Sequence, residues 1–128
     1  MIVDTSAIMA ILLDEPDAEN YHEAIAEAQH CRMSTANFLE AAMVVEARGG
    51  VAGGRELDRY VETAPIELVA VTVEQAQRAR EAWRRYGKGN HPAGLNFGDC
   101  FAYALADATR EPLLFKGEDF ALTDIDPA

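Results

Sequence analysis

Acids are common in this chain, 22 in 128 residues, so the informative ones are those set in apolar sequence. Asp4 stands between Met1-Ile2-Val3 and the run from Ala7 to Leu13, where a carboxylate is largely desolvated unless something positive meets it. Glu40 lies between Phe38-Leu39 and Ala41-Ala42-Met43-Val44-Val45. At helical spacing its neighbours are Ala36, Met43, Val44 and Ala47, which puts it on an apolar face. Asp99 follows Asn96-Phe97-Gly98 and precedes Cys100-Phe101-Ala102-Tyr103-Ala104. A bound cation would balance three such carboxylates. Oxygen ligands without His or Cys select a hard ion, Mg²⁺ or Mn²⁺, that keeps several of its waters, and this arrangement suits phosphodiester hydrolysis. Asp119, in Gly117-Glu118-Asp119, is the fourth candidate, with Asp124 and Asp126 as alternatives close by.

Each acid taken singly also has a structural reading. Asp4 suits a helix cap, Asp99 a first helical turn where it complements the dipole, and Glu40 a buried pair with an arginine. Other chemistries find little support. His22, His30 and His91 are scattered, Cys31 and Cys100 form no C-x-x-C, and there is no nucleophile elbow, P-loop or dinucleotide fingerprint. The Gly49-Gly50 and Gly53-Gly54 pairs read as helix punctuation.

The elements that must position these acids follow from periodicity. Ile2-Val3 reads as a buried strand running directly into a helix over 5–13, and a second helix starts after Pro16 and runs to about residue 28. Arg32-Met33-Ser34 is a short strand. Ser34 or Thr35 caps a helix over 36–47 that stops at Gly49-Gly50, and a further helix spans 55–63. The strongest strand signal is 66–71. Thr72 then caps a helix with apolar positions Val73, Ala76, Ala79, Trp83 and Tyr86. A Gly- and Asn-rich loop over 87–98 leads to a buried helix from Asp99 to about Asp107, and Leu113-Leu114-Phe115 is the last strand, with Asp119 in the turn after it. Strands alternating with helices imply one α/β domain over residues 1–128, with a mostly parallel sheet covered on both faces. Ligands of such sheets bind beyond the carboxyl ends of the strands, where Asp4 and Asp119 fall.

A formal charge of −11 argues against a protein that binds nucleic acid over its whole surface. Five of the eleven basic residues, Arg78, Arg80, Arg84, Arg85 and Lys88, nevertheless fall within eleven positions beside a single acid, Glu81. They are the one segment that could steer an anionic polymer, and otherwise read as a solvated helix face. The N-terminus has no leader pattern and no run approaches the ~18 apolar residues of a membrane span. With two separated thiols, a reducing cytoplasm is the expected setting.

Met1-Ile2-Val3-Asp4-Thr5-Ser6, Glu40 in a mid-chain helix, Leu95-Asn96-Phe97-Gly98-Asp99-Cys100 and Phe115-Lys116-Gly117-Glu118-Asp119-Phe120 together resemble the PIN-domain ribonucleases, specifically the VapC toxins of bacterial toxin–antitoxin operons. The resemblance covers essentially the whole chain. It implies a three-layer α/β/α sandwich, a homodimer, and a Mg²⁺ site formed by Asp4, Glu40, Asp99 and Asp119, with Thr5 or Ser6 beside it. It also implies endonucleolytic cleavage of RNA and a cognate VapB-type antitoxin, whose basic segment would place an Arg or Lys among the carboxylates. Two rival readings stand beside this one. A phosphoacceptor signalling domain is also small, acidic and α/β, with Lys116 after the last strand in its favour and only one acid after the first strand against it. A catalytically silent PIN-like binding module is the other.

Overall fold

The apolar pairs Ile2-Val3 and Leu113-Leu114 each form a strand of only two residues, lying side by side in parallel with Ile2 opposite Leu113 and Val3 opposite Leu114. Successive strand side chains point to opposite faces. Ile2 and Leu113 therefore enter one core while Val3 and Leu114 enter another. This is why both pairs are wholly apolar: each face of the sheet is covered. Burying side chains of this size contributes about 1.5–3 kcal/mol apiece.

The computed structural model describes residues 1–128. In chain order the elements are β1 (Ile2–Val3), α1 (Thr5–Leu12), α2 (Ala18–Glu27), β2 (Cys31–Ser34), α3 (Thr35–Thr63), β3 (Ile66–Val69), α4 (Val73–Tyr86), α5 (Phe97–Thr109) and β4 (Leu113–Leu114), followed by a 3₁₀ turn at Phe120–Leu122. The four strands form one sheet in the order β3-β2-β1-β4, every pair parallel. Helices α1, α2 and α3 share the core built on Val3, Met33 and Leu114, whereas α4 and α5 share the core built on Ile2 and Leu113. The result is the expected three-layer α/β/α sandwich. No helix is long and apolar enough to cross a membrane.

The strand order bears on one rival reading. Receiver-type domains place strands 2 and 3 on either side of strand 1, whereas β1 here lies between β2 and β4. Lys116, the feature that favoured that reading, is ion-paired to Glu15 and Asp17.

Several element boundaries differ from the sequence expectation for identifiable reasons. The helix expected to stop at Gly49-Gly50 breaks only at Gly50, whose φ of 64° and ψ of −160° suit glycine alone, and it resumes at once. Gly53 and Gly54 lie inside the second half of α3 rather than at its start. A Cβ on Gly53 would fall 2.7 Å from the Val45 carbonyl oxygen, so this glycine lets the two halves of α3 approach closely. On α4 the buried residues are Gln75, Ala79 and Ala82, while Trp83 is 50% and Val73 77% exposed. The expected apolar stripe is thus offset from the face that packs. Helix α5 begins at Phe97, two residues before Asp99, because Asn96 caps it.

Candidate active site

Asp4 leaves the C-terminal end of β1 and becomes the N-cap of α1. One carboxylate oxygen, Oδ2, accepts hydrogen bonds from the Ser6 backbone N–H at 2.9 Å and the Ser6 hydroxyl at 2.6 Å. The other oxygen, Oδ1, is buried with no partner. The residue as a whole is 3% exposed. Burial pushes its carboxyl up to about 6 despite the Ser6 hydrogen bonds, and the charge of Glu40 adds to the rise. The capping reading of Asp4 is therefore correct for one of its oxygens and leaves the other unexplained.

Asp99 has the same divided character. As the third residue of α5 it completes a reciprocal capping box: the Asn96 N–H donates to Asp99 Oδ2 at 3.0 Å, and the Asp99 N–H donates to Asn96 Oδ1 at 2.9 Å. Burial raises its carboxyl to about 7. The Asn96 hydrogen bond opposes that rise, while the charges of Asp4, Asp119 and Glu40 add to it. All four sequence candidates thus share one electrostatic field. The neighbouring Cys100 thiol is pushed up to about 11 by its own burial, and the Asp99 charge adds a smaller rise.

Glu40 is half-buried on the first half of α3, at the edge of the packed face marked by Asn37, Ala41 and Val45. Met43 and Ala47, expected as apolar companions, face solvent. Its carboxylate lies against Gly98, where any Cβ would collide with it. No arginine or lysine pairs with Glu40, nor with Asp4, Asp99 or Asp119. Asp119 is exposed and precedes the 3₁₀ turn without capping it. Asp124, the alternative fourth acid, is engaged elsewhere: it accepts from the Tyr103 hydroxyl at 2.6 Å and from Arg85 at 3.4 Å, and the Tyr103 hydrogen bond holds its carboxyl below the usual range.

Two supporting residues hold the frame. Ser6 bonds Asp4 and also accepts the Lys116 backbone N–H at 2.9 Å, tying the end of β1 to the loop after β4. Asn37 was not anticipated. It is fully buried and donates from Nδ2 to the Gly98 carbonyl at 2.9 Å, while its backbone carbonyl accepts from the Thr5 hydroxyl at 3.1 Å. It therefore locks α1, α3 and α5 together beneath the acids. The available signal was a polar amide one helical turn before Glu40, in a helix whose other packed positions are apolar.

The donor set is all oxygen, one buried carboxylate oxygen has no partner, and no cation offsets the charge. That chemistry fits a hard divalent ion. No three side chains already converge as a finished metal cage, which accords with mutual repulsion among carboxylates lacking a counter-charge. The acids sit where β1 and β4 adjoin, at the point where the strand order reverses, which is the usual ligand position of such sheets.

Fold and acid cluster together define a PIN domain, and the PIN domain family model matches residues 1–126. Ribonuclease VapC30 of Mycobacterium tuberculosis is 60% identical over 126 residues, spanning 98% of this chain and 95% of that protein. Ribonuclease VapC of Mycolicibacterium smegmatis is 58% identical over 125 residues, spanning 98% and 97%. The chain belongs to the VapC ribonucleases of the PIN-domain family. In fold it is similar to the crystal structure of Mycobacterium tuberculosis VapC20, described as a Sarcin-Ricin loop cleaving toxin, with a TM-score of 0.80 at 15% identity over 99% of this chain and 97% of that one. A toxin–antitoxin complex from Klebsiella pneumoniae matches with a TM-score of 0.74 at 16% identity, over 96% and 92%.

Proposed function

We propose that this chain is the toxin of a type II toxin–antitoxin pair, a Mg²⁺-dependent endoribonuclease of the cytoplasm that also works with Mn²⁺. The observation behind this reading is the set of four coupled carboxylates with no cation among them, one of whose buried oxygens has no partner. Asp4, Glu40, Asp99 and Asp119 would hold the metal. When bound, it supplies charge neutralisation at the scissile phosphate and a lowered pKa for an attacking water. The chain's own residues supply position. Ser6 fixes one oxygen of Asp4 and leaves the other free, the Asn96 N–H does the same for Asp99, and Asn37 holds the Gly98 backbone on which Glu40 rests.

The test is cleavage of RNA by the purified chain with Mg²⁺, Mn²⁺ or EDTA. Asp4→Asn and Asp99→Asn should each lower the rate on the order of 10²-fold or more. Wild-type cleavage by Asp99→Asn protein, or cleavage undiminished in EDTA, would sink the metal-site reading, whereas no cleavage with either metal would favour a silent binding module.

Neutralisation would come from a VapB-type antitoxin placing an Arg or Lys among the acids in competition with metal. The Klebsiella pneumoniae neighbour, solved as a toxin–antitoxin complex, supports a partner of this kind. Antitoxin affinity at raised salt should then fall in the Asp4→Asn variant, and unchanged affinity would exclude direct occupation of the pocket. Dimerisation is part of the same proposal, and sedimentation of the free chain decides it.

A further inference from the structure

Asp4, Glu40 and Asp99 are carried by helices, whereas Asp119 lies in the connection between β4 and the 3₁₀ turn. Gly117 turns the chain there with a φ of 106°, a conformation that leaves the backbone little intrinsic stiffness. The connection therefore depends on side chains to hold it. Phe115 closes its base against Phe120, with 5.1 Å between ring centres, and the Lys116 N–H donates to the Ser6 hydroxyl oxygen at 2.9 Å. The remaining tie is the Lys116 side chain. Its Nζ donates to Glu15 Oε2 and, at 2.8 Å, to Asp17 Oδ1, on either side of Pro16 in the corner between α1 and α2.

That corner is a firm anchor. Asp14 holds the left-handed conformation with a φ of 50°, the Glu15 N–H donates to the Ala10 carbonyl at 3.0 Å, and Pro16 fixes its own φ. Leu12 and Leu13, just before it, pack against the core. The bridge matters for its place more than for its strength. The Lys116, Glu15 and Asp17 side chains are 35%, 33% and 36% exposed, and ion pairs so open to water contribute little to stability. Displacement of a reacting group by about 1 Å, by contrast, costs on the order of 10²-fold in rate. Both acidic partners of Lys116 lie outside the four-carboxylate cluster.

We propose that Lys116 is a positioning residue of the nuclease: an ionic strut from the α1–α2 corner that fixes the connection carrying Asp119 and keeps the Lys116 N–H on the Ser6 hydroxyl that holds Asp4. The proposal rests on the ribonuclease reading and deepens it. Glu15 and Asp17 act only through Lys116.

The test compares Lys116→Met, Lys116→Arg and the combined Glu15→Gln and Asp17→Asn variant in the full chain. At saturating Mg²⁺, Lys116→Met should lower kcat for RNA cleavage about tenfold or more and change KM by less than about twofold. The Glu15→Gln and Asp17→Asn variant should do the same, and Lys116→Arg, which can still pair with both carboxylates, should restore most of the rate. Joining Lys116→Met to the double variant should add little, because both remove one interaction. Melting temperatures should stay within about 5 °C of wild type. Amide exchange of the metal-free double variant, whose residue 116 is unchanged, gives a readout that needs no cleavage. The Lys116 N–H on Ser6 and the Ala121 N–H, 3.2 Å from the Glu118 carbonyl, should lose about tenfold in protection while the amides of α5 keep theirs.

A rate lowered by Lys116→Met and untouched by the double variant, or a raised KM, would put Lys116 on the substrate and end the proposal. Wild-type cleavage by both would also overturn it, with the nuclease reading intact. Melting temperatures lowered by more than about 10 °C together with the rate would make the bridge a support of the fold alone. A wild type that cuts nothing, in a chain whose double variant loses protection at Lys116 and Ala121, would overturn the nuclease reading and leave the anchored connection standing.

Discussion

Two of the acids have a split environment: in Asp4 and Asp99 one oxygen serves the backbone and the carboxyl as a whole is pushed above its ordinary value of 3.8, to about 6 and about 7. Without metal the sign of the pH dependence follows. Because the folded pKa exceeds the unfolded one, the native state binds more protons between about pH 4 and 7. These groups therefore favour the fold most below that window, and their contribution is lost as the pH rises through it. Melting temperature in EDTA should fall between about pH 4 and 7, and Asp99→Asn should flatten the profile and raise the pH 8 value by about 3–6 °C. A melting curve for the variant that tracks wild type at every pH would contradict this. These acids were legible in the sequence because a carboxylate among Ala, Ile, Phe and Val is conspicuous. Asn37 was not, since a polar amide one turn before Glu40 is a weak signal until its partner on α5 is seen. Asp119 was separable from Asp124 only once Tyr103 and Arg85 were found on the latter.

At the scale of elements, strands and helices were readable because period and capping agree at β1, α1, α4 and β4. What stayed hidden was the packing of helix on helix. The Gly53 and Gly54 pair reads as helix punctuation in the sequence, whereas contact with Val45 and Glu46 across the turned-back α3 accounts for it. The α4 stripe is offset for a related reason: Ala79 packs as expected, but Ala82 and Gln75 pack beside it while Trp83 stays half-exposed. Gly98 joins element to site. It lies inside α5 without a positive φ, so alanine suits its backbone, yet the new methyl would displace the Glu40 carboxylate. Gly98→Ala should keep stability within about 1 kcal/mol of wild type while lowering cleavage at least tenfold. Equal losses in both would mean that the glycine serves the fold. The cap supports the fold as well as the site, and Asn96→Ala should cost about 1 kcal/mol in denaturant unfolding.

For the molecule as a whole, 22 acids against 11 bases make self-repulsion a general background on which any cation acts. Added Mg²⁺ can stabilise in two ways: by screening the surface, as any salt does, or by binding the native pocket and shifting the folding equilibrium through mass action. Screening scales with ionic strength and is indifferent to single substitutions. Site binding saturates, contributes about 2.7 kcal/mol at a hundredfold excess over Kd, and depends on the buried Asp4 oxygen that has no protein partner. Melting curves at pH 8 should therefore rise by roughly 10 °C with saturating Mg²⁺ beyond the rise given by NaCl of equal ionic strength. In the Asp4→Asn variant the Mg²⁺ and NaCl curves should coincide, because the substitution removes one anionic ligand and leaves the other 21 acids to be screened as before. A wild type that responds alike to both salts would mean that the four acids form an electrostatic cluster without a metal site.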